Sequence, residues 1–295
     1  MNINEITSNF RPKFFEGQAK NWVQGFPAYA EYKEDGEYVL IFITPKRTLI
    51  ANRHKSTYHP TKYIQEYLPK TKCILEAEYI SINGNLYSYL SERGEDSDKL
   101  ALRIFGILHY EGNDVSDLPY EERWKTLEKL IPDNNQYVKL VKHQKVETPE
   151  DIDNFFNQAI SDGKEGIVVK SFGKRSTCMK LKKTSTKDYA ILGFEKSQSW
   201  NKNHTPESFI LGTLENDEWK QIGKASSGLT KDEKAQLGVI LLKNMIAEDS
   251  KQILSKPTEV LEIKYQEQTD SGLRIPRIIR WRKDKTPKMI DGIYS

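Results

Sequence analysis

The sequence predicts an α+β fold, in which a larger domain of strands and flanking helices is followed by a smaller, mostly β domain. Alternating apolar and polar residues around Asp35-Gly36 indicate an antiparallel hairpin, and two helical segments follow between residues 119 and 161. Beyond residue 187, several short strands surround one helix. We therefore place the two domains at residues 1–186 and 187–295.

The first elements along the chain are strands. Residues 28–43 read as strand, tight turn and strand, because Asp35-Gly36 tolerates the positive backbone angles of a hairpin turn. Residues 73–82 form another apolar stretch that predicts a strand. The nearly continuous apolar run at residues 102–108 predicts a strand that is buried on both faces.

Two helices are expected next. Pro119 opens a segment with a helical period and acidic residues in its first turn, which suit the polarity of a helix N-terminus. Thr148 is a good N-terminal cap, and Pro149 fits the first turn, so a second helix is expected as far as about residue 161. Short strands at residues 166–171 and 179–183 complete the first domain.

The second domain is predicted from the spacing of its strands. Short strands are expected at residues 189–195, 208–214, 218–223 and 260–266, with one helix at about residues 231–247. Several short strands and one helix within about a hundred residues are typical of a small barrel.

Composition excludes several classes of protein. Hydrophobic residues make up 37% and aromatic residues 11% of the chain, which suits a buried core rather than a disordered chain. Cys73 and Cys178 are the only two cysteines, too few for a zinc knuckle and unsuited to a disulfide framework. The N-terminus has no signal-peptide pattern, and no long apolar run predicts a membrane span, so we expect a cytoplasmic protein.

The first candidate functional residue is Lys33, which precedes Asp35-Gly36 at the hairpin turn. A lysine near such a turn can point into a pocket, and its amine is a nucleophile once it has lost its proton. The alternative interpretation is an ordinary solvated hairpin.

Acidic residues supply the second set of candidates. Glu76 and Glu78 are two positions apart in a predicted strand, so they project from the same face. Glu165 opens the apolar strand that Lys170 closes. Carboxylates within apolar strands are costly unless they are paired or bind a metal ion; the alternative for Glu76 and Glu78 is the wet face of an edge strand.

Cations form the third set. Lys180 and Lys182 project from one strand face and could clamp a triphosphate, although an exposed strand is the alternative. The segment at residues 273–285 carries Arg274, Arg277, Arg280, Arg282, Lys283 and Lys285, which suit phosphate contacts unless they form a basic tail. A nucleophilic lysine, acids for a divalent metal and cations for phosphates are together the equipment of nucleotidyl transfer.

These stretches resemble, in order and spacing, the motifs of the covalent nucleotidyltransferases, and among them the ATP-dependent DNA ligases. The resemblance covers residues 28–287. The similar segments are EYKEDG (31–36), Asn52-Arg53, LEAEYI (75–80), Phe105 with GILHYEG, EGIVVK (165–170), MKLKK (179–183) and RWRKDK (280–285). Residues 209–230 and 259–285 resemble the oligonucleotide-binding barrel of DNA ligases rather than capping enzymes or RNA ligases.

The resemblance implies a nucleotidyltransferase (adenylation) domain with antiparallel sheets, followed by an OB-fold β-barrel. It implies an enzyme that seals nicks in duplex DNA through lysyl-AMP and DNA-adenylate intermediates, in DNA repair, replication or recombination. ATP would be the cosubstrate, Mg²⁺ or Mn²⁺ the metal, and nicked duplex DNA the partner of a monomer. Only about thirty residues precede the first motif, so we expect a minimal two-domain form.

The resemblance also implies roles for single residues. Lys33 would form the bond to AMP, and Glu78 would contact the ribose or join Glu165 in binding metal. The remaining nucleotide contacts would come from Glu31 and Phe105 at the adenine, from Arg53, Lys180 and Lys182 at phosphates, and from Arg282, Asp284 and Lys285 at the leaving pyrophosphate.

The sequence departs from the family pattern at a few positions. Tyr38 replaces an arginine, 76–78 read Glu-Ala-Glu instead of Asp-Gly-Glu, Gly106 replaces an acid, and Cys178 replaces an aromatic residue. We expect Lys46 or Arg47 to take over the contact that is lost at Tyr38. The segment 245–257 is a candidate for a loop that closes around DNA.

Other functions remain open at this point. An RNA ligase or an mRNA-capping guanylyltransferase uses the same chemistry. A non-catalytic nucleic-acid-binding protein is a second alternative, although Lys33, Glu165, Lys180 and Lys182 argue against a decayed site. A two-histidine phosphoesterase would need a second copy of the His59-Pro60-Thr61 pattern, which the sequence lacks.

Overall fold

The computed structural model describes residues 14–22, 24–82, 86–92, 97–173, 178–200, 204–269 and 272–290. The chain divides into two compact units, Met1–Lys182 and Lys183–Ser295. Antiparallel sheets dominate both units and helices are few, which confirms the predicted α+β class.

The first sheet of unit 1 has the strand order β1 (Phe14–Glu16), β12 (Cys178–Lys182), β11 (Gly166–Ser171), β2 (Ala28–Lys33) and β10 (His143–Val146). Its strands are antiparallel except for β1, which runs parallel to β12. One face packs on helix α4 (Pro149–Ser161), where Tyr32, Ile167 and Leu181 join Phe155 in a buried core.

The second sheet of unit 1 follows the order β5 (Thr57–Tyr58), β4 (Arg47–Asn52), β3 (Glu37–Thr44), β6 (Cys73–Ser81), β7 (Leu100–Tyr110) and β8 (Asn113–Asp114), with β9 (Val138–Leu140) parallel to β7. Short helices α1 (Lys62–Gln65) and α2 (Leu86–Glu92) accompany it. Its buried face, with Ile41, Leu75 and Ile104, packs against Trp124 and Leu127 of α3 (Tyr120–Leu130).

The two predicted helices of unit 1, α3 and α4, begin where the sequence predicts. The Thr148 hydroxyl accepts a hydrogen bond from the Asp151 N–H, and the Asp151 carboxylate accepts one from the Thr148 N–H, so two unpaired donors of the first turn are satisfied. Both predicted helices are therefore confirmed, and each stands behind one of the two sheets.

Unit 2 is a curled sheet in the order β15 (Glu218–Ala225), β14 (Pro206–Glu215), β13 (Ser185–Lys196), β17 (Gln252–Ser255) and β16 (Met245–Glu248). Strand β18 (Val260–Tyr265) pairs with β13 and with β21 (Arg277–Trp281), and β19 (Glu267–Thr269) forms a hairpin with β20 (Gly272–Arg274). Strand β13 binds β18 along its first half and β17 along its second, and this change of partner curls the sheet.

A glycine makes that change of partner possible. Gly193 lies at a register shift of β13 with φ +154°, and a Cβ there would lie 2.2 Å from the Ile253 carbonyl oxygen. Only a residue without a side chain allows β17 to approach so closely.

The segment after helix α5 (Lys231–Lys243) differs from the prediction. The helix ends at Lys243 rather than near residue 247, because Asn244 caps it and Met245–Glu248 pair with β17 instead. The segment 245–257 is thus largely a hairpin of the curled sheet, and β17 is hydrogen-bonded to β13. Backbone pairing therefore makes this segment a hairpin rather than an irregular loop, and its part in closing around DNA stays a prediction.

Two simpler predictions can be checked on the described part of the chain. Cys73 and Cys178 are both buried, and neither forms a disulfide bond. No helix among these residues combines the length and the apolar character that a membrane crossing needs.

Candidate active site

One face of the first sheet collects the polar residues that the motifs contain. Val168 lies opposite both Glu31 and Lys180, and Gly166 lies opposite both Lys33 and Lys182. Residues directly opposite each other in a sheet project from the same face. The intervening residues on these strands point into the apolar core, so the alternation separates a reactive face from a packed one.

Lys33 ends β2 and is held by Glu165. Its Nζ forms an ion pair with one oxygen of the Glu165 carboxylate, and Lys182 Nζ lies 2.8 Å from the other oxygen. The three side chains are 9–17% exposed. The alternative of a solvated hairpin lysine is therefore wrong, because the side chain turns into the cleft. The predicted hairpin itself is also wrong, since β2 pairs within the first sheet and β3 within the second.

Glu31 lies deeper on the same face. It is 2% exposed, and its Oε2 lies 2.6 Å from Lys170 Nζ, while its Oε1 accepts a hydrogen bond of 2.8 Å from the Tyr120 hydroxyl. Lys170 also donates to the Phe105 carbonyl oxygen, and its ammonium lies 4.9 Å from the centre of the Phe105 ring. A buried carboxylate with two donors is satisfied, as burial demands.

The second sheet forms the opposite wall of a cleft of about 620 Å³ in unit 1, a volume in the range of small-molecule sites. Tyr38, Glu76, Glu78 and Phe105 line this wall. The Tyr38 hydroxyl donates to Glu76 Oε1 at 2.8 Å, and the rings of Tyr38 and Phe105 are 6.0 Å apart. Aromatic and charged groups thus face each other across the cleft.

The Glu78 carboxyl has a raised pKa. Burial, the largest cause, raises the pKa of its carboxyl to about 7. The Lys33 ammonium opposes that rise, whereas the Glu165 carboxylate adds to it. Two carboxyls and the predicted nucleophile therefore interact within one small region.

Gly106 explains one departure from the family pattern. Its position in β7 lies opposite Glu76, and a Cβ there would be 2.4 Å from the Glu76 carboxylate. The acid that is missing at position 106 would have no room beside this longer carboxylate. Glu76 is itself 3% exposed, so the alternative of a wet edge strand is wrong for it.

Arg53 lines the cleft from the β4–β5 connection and is exposed. The Asn52 side chain holds this turn, since its oxygen accepts from the N–H groups of His54 and Ser56. Lys46 lies elsewhere, in the turn at the far end of β3 from Tyr38, and Arg47 follows it as the first residue of β4. Six further strand residues span roughly 20 Å, so neither of them replaces the missing arginine contact.

The basic cluster near the C-terminus belongs to unit 2 and has its own partners. Arg282 binds Asp188 at 2.9 Å and Asp284 at 2.8 Å, and Lys285 Nζ lies 2.6 Å from the same Asp188 oxygen. Hydrogen bonds from Arg282 hold the pKa of Asp284 well below its usual range. The structure thus gives these cations carboxylate partners in their own unit and does not present them as a free basic tail.

The predicted site residues fall into two groups. Those that line the cleft of unit 1 are Glu31, Lys33, Arg53, Glu78, Phe105 and Lys180, and Glu165 and Lys182 join them through the ion pairs at Lys33. Arg282 and Lys285 lie in unit 2.

The part of Tyr120 in the site and the contacts of Lys170 were not predicted from the sequence. The alternation Gly166, Val168, Lys170 was a signal that Lys170 shares the face of Glu31. Nothing in the sequence indicated that Tyr120, from a helix 89 positions along the chain, reaches Glu31.

No group of three or more histidine, cysteine, aspartate or glutamate side chains is poised for a metal ion within the described ranges. Glu78 and Glu165 supply two carboxylates beside Lys33. Mg²⁺ often takes one or two protein carboxylates and completes its shell with substrate phosphates and water. These two residues fit such a site.

Comparison with known proteins agrees with this geometry. Residues 13–183 match the family described as the ATP dependent DNA ligase domain, and residues 202–285 match the ATP dependent DNA ligase C terminal region. A solved structure of a Lig E DNA ligase superposes with a TM-score of 0.68 at 13% identity, covering 92% of this chain and 99% of that one, which is a likeness of fold. The curled sheet of unit 2 is consistent with the predicted OB-fold.

Curated relatives carry the same description. A DNA ligase of Thermococcus fumicolans is 26% identical over 304 residues, covering 91% of this chain and 54% of the relative. A DNA ligase of Saccharolobus islandicus strain L.S.2.15 is 28% identical over 327 residues, covering 90% of this chain and 53% of the relative. The chain spans about half the length of these relatives. Because the first family match covers more than half of the sequence, the chain belongs to the ATP-dependent DNA ligase family.

Proposed function

We propose that this chain is an ATP-dependent DNA ligase that seals nicks in duplex DNA. The Lys33 amine attacks the α-phosphorus of ATP, a P–N bond forms, and pyrophosphate leaves. The 5′-phosphate at the nick then takes the AMP from Lys33, and the 3′-hydroxyl attacks that phosphate and releases AMP. One phosphodiester bond forms for each ATP.

The observation that carries this proposal is the position of Lys33. Its Nζ is turned into a cleft rather than into solvent, and it pairs with a carboxylate that Lys182 shares. The Glu165 carboxylate is therefore the nearest acceptor for the proton that the amine must lose before it attacks. Lys182, with Lys180 on the same strand face, supplies positive charge for the α-phosphate.

The adenine-binding end of the cleft is assigned to Glu31 and Phe105. Glu31 reads the base edge from the floor, and Phe105 stacks on the base from the opposite wall. Glu78, which lines the same cleft and interacts electrostatically with Lys33, contacts the ribose, and Arg53 contacts nucleotide or nick phosphates from the exposed rim.

Glu165 and Glu78 would hold Mg²⁺ or Mn²⁺. When bound, the ion would neutralise charge on the nucleotide phosphates. Glu165 would then have two duties, because its oxygens also pair with Lys33 and Lys182.

We assign to unit 2 the binding of DNA and the contacts with the leaving pyrophosphate. Arg282, Asp284 and Lys285 orient pyrophosphate during AMP transfer to Lys33. We assign the adenylation domain to residues 1–186 and the OB-fold domain to residues 187–295 of a cytoplasmic monomer that acts in DNA repair, replication or recombination.

The decisive experiment loads the chain with radiolabelled ATP and then adds nicked duplex DNA. We expect a labelled protein that loses its AMP as the nick closes, and we expect Lys33→Ala to abolish labelling while the circular dichroism spectrum is unchanged. Lys46→Ala, an exposed lysine at the far end of β3, is the matched control and should label normally.

Parallel reactions separate the alternatives. GTP in place of ATP tests a capping enzyme, and nicked RNA in place of DNA tests an RNA ligase. Sealing by Lys33→Ala at the rate of the unmodified chain would contradict the proposal, as would preferential labelling by GTP.

A further inference from the structure

We propose that Tyr120 is a positioning residue for base recognition: its hydroxyl, backed by His143, fixes the Glu31 carboxylate so that the site selects a purine with a 6-amino group. This inference rests on the proposed function, because it assumes that Glu31 faces the base of ATP. It assigns to this chain a selectivity element outside the cleft wall.

The contact itself is short and buried. Tyr120 is 2% exposed, and its hydroxyl donates to Glu31 Oε1 at 2.8 Å. The other oxygen, Oε2, lies 2.6 Å from Lys170 Nζ. Each oxygen of the carboxylate therefore has its own donor, from a helix on one side and from the neighbouring strand on the other, and the plane of the group is set by both.

The direction of the hydrogen bonds follows from counting protons. A tyrosine hydroxyl has one hydrogen, and a carboxylate oxygen only accepts, so this hydrogen points to Glu31. His143 Nδ1 lies 3.2 Å from the same hydroxyl oxygen, so it must carry a hydrogen and donate. Burial lowers the pKa of His143, which favours the neutral ring with a single N–H. A relay thus runs from His143 through Tyr120 to Glu31.

Packing leaves the Tyr120 ring little freedom. It lies between Tyr29, whose ring centre is 4.2 Å away, and Trp124 at 5.6 Å, and both rings are nearly parallel to it. The His143 ring in turn stacks on Trp124 at 3.8 Å. The hydroxyl is therefore delivered to Glu31 by a rigid aromatic stack, which is the arrangement that keeps a recognition group in one geometry.

The chemistry of the carboxylate defines what it selects. The 6-amino group of adenine donates hydrogen bonds, whereas the 6-oxo group of guanine accepts them. The oxygens of a carboxylate only accept hydrogen bonds, so they match the 6-amino group of adenine. The 6-oxo group of guanine would instead place a second acceptor opposite them. A site that expects a donor rejects a base without one much more strongly than an apolar site would.

The test measures AMP-type labelling of Lys33 with two nucleotides, ATP and purine riboside triphosphate, which lacks the 6-amino group. For Tyr120→Phe we expect KM for ATP to rise about tenfold with kcat nearly unchanged, because one hydrogen bond to the charged carboxylate is lost. KM for purine riboside triphosphate should stay the same, so the preference for ATP falls by the same factor.

Tyr29→Phe is the matched control. It removes a buried hydroxyl from the same stack, but that hydroxyl donates to Glu121 and not to Glu31. We expect the nucleotide preference of this variant to remain that of the unmodified chain, whatever the change in its thermal midpoint.

A double variant separates positioning from general stability. If Tyr120 acts through Glu31, Tyr120→Phe combined with Glu31→Gln should have the same ATP preference as Glu31→Gln alone. Equal loss of labelling with both nucleotides, or additive effects in the double variant, would overturn the role of Tyr120. Failure of the unmodified chain to label with any nucleotide would instead overturn the proposed function, and the inference with it.

Discussion

Each unit of the molecule contains a carboxylate that two cations share, and the two clusters differ in their surroundings. In unit 1, Glu165 binds Lys33 and Lys182, and all three side chains are at most 17% exposed. In unit 2, Asp188 binds Arg282 and Lys285, and Lys285 is 34% exposed. Arg282 has a second partner, Asp284, which is 65% exposed.

The pKa values of the acids beside the two clusters are shifted in opposite directions. Burial raises the pKa of Glu78 beside the first cluster, whereas hydrogen bonds from Arg282 lower the pKa of Asp284 in the second. The difference teaches that the cleft of unit 1 is a dry environment in which charges depend on one another. In unit 2 the central pair of Asp188 and Arg282 is also buried, at 12% exposure each, but Lys285 and Asp284 at its edge reach solvent and can exchange their partners for water at little cost.

The largest effect expected from this comparison concerns the shared carboxylates. Glu165→Ala leaves Lys33 and Lys182 without the carboxylate that pairs with them, and we expect the free energy of unfolding to fall by about 3 kcal/mol. Asp188→Ala should lower it by only about 1 kcal/mol, because Arg282 keeps Asp284 and Lys285 can turn to water. Urea denaturation of both variants measures the difference, and an equal or larger loss for Asp188→Ala would refute the contrast.

A smaller effect concerns pH. The Glu78 carboxyl has a folded pKa of about 7, above its ordinary value of 4.5, so the folded state binds more protons between these values. Stability of the unmodified chain should therefore fall as pH rises from about 4.5 to 7 and level off above that.

Glu78→Gln cannot ionise and should lose this dependence. Relative to the unmodified chain, we expect it to gain up to about 2 kcal/mol across the window. Unfolding free energies at pH 4.5, 6 and 8 provide the measurement, with Glu218→Gln on the exposed start of β15 as the control. A difference between Glu78→Gln and the unmodified chain that does not change with pH would count against a dry cleft.

The smallest effect is expected at Asp284. Its pKa is depressed in the folded state, so its contribution is present above its unfolded pKa and is lost only as pH falls toward strongly acidic values. Asp284→Asn should shift the thermal midpoint by no more than about 2 °C between pH 6 and 8, because the carboxylate is exposed and solvent screens it. A large shift in calorimetry would show that this cluster is as dry as the cleft.

Much of the fold was accessible from local patterns. The helix capped by Thr148 follows from capping chemistry within a few residues, and the structure contains it. The strands on both sides of Asp35-Gly36 are also present, but the predicted hairpin is wrong, because β2 pairs within the first sheet and β3 within the second. The end of α5 was not accessible in this way. The run through Met245 looks helical, yet pairing with β17 decides its conformation, and that strand lies further along the chain.

The candidate site was likewise predictable only in part. Alternation along β2, β11 and β12 places Lys33, Lys180 and Lys182 on one face, since a strand repeats every two residues. Loss of the motif arginine at Tyr38 was visible, but the distance of Lys46 and Arg47 from the cleft depends on the direction of β3.

The sequence by itself determined which side chains share a strand face, because the two-residue period of a strand is a property of the backbone. Only the tertiary structure decided which faces meet. The pairing of Lys33 with Glu165 and the reach of Tyr120 to Glu31 join positions 132 and 89 residues apart. Such contacts form when separate elements bury their apolar faces together, and no local pattern encodes that choice.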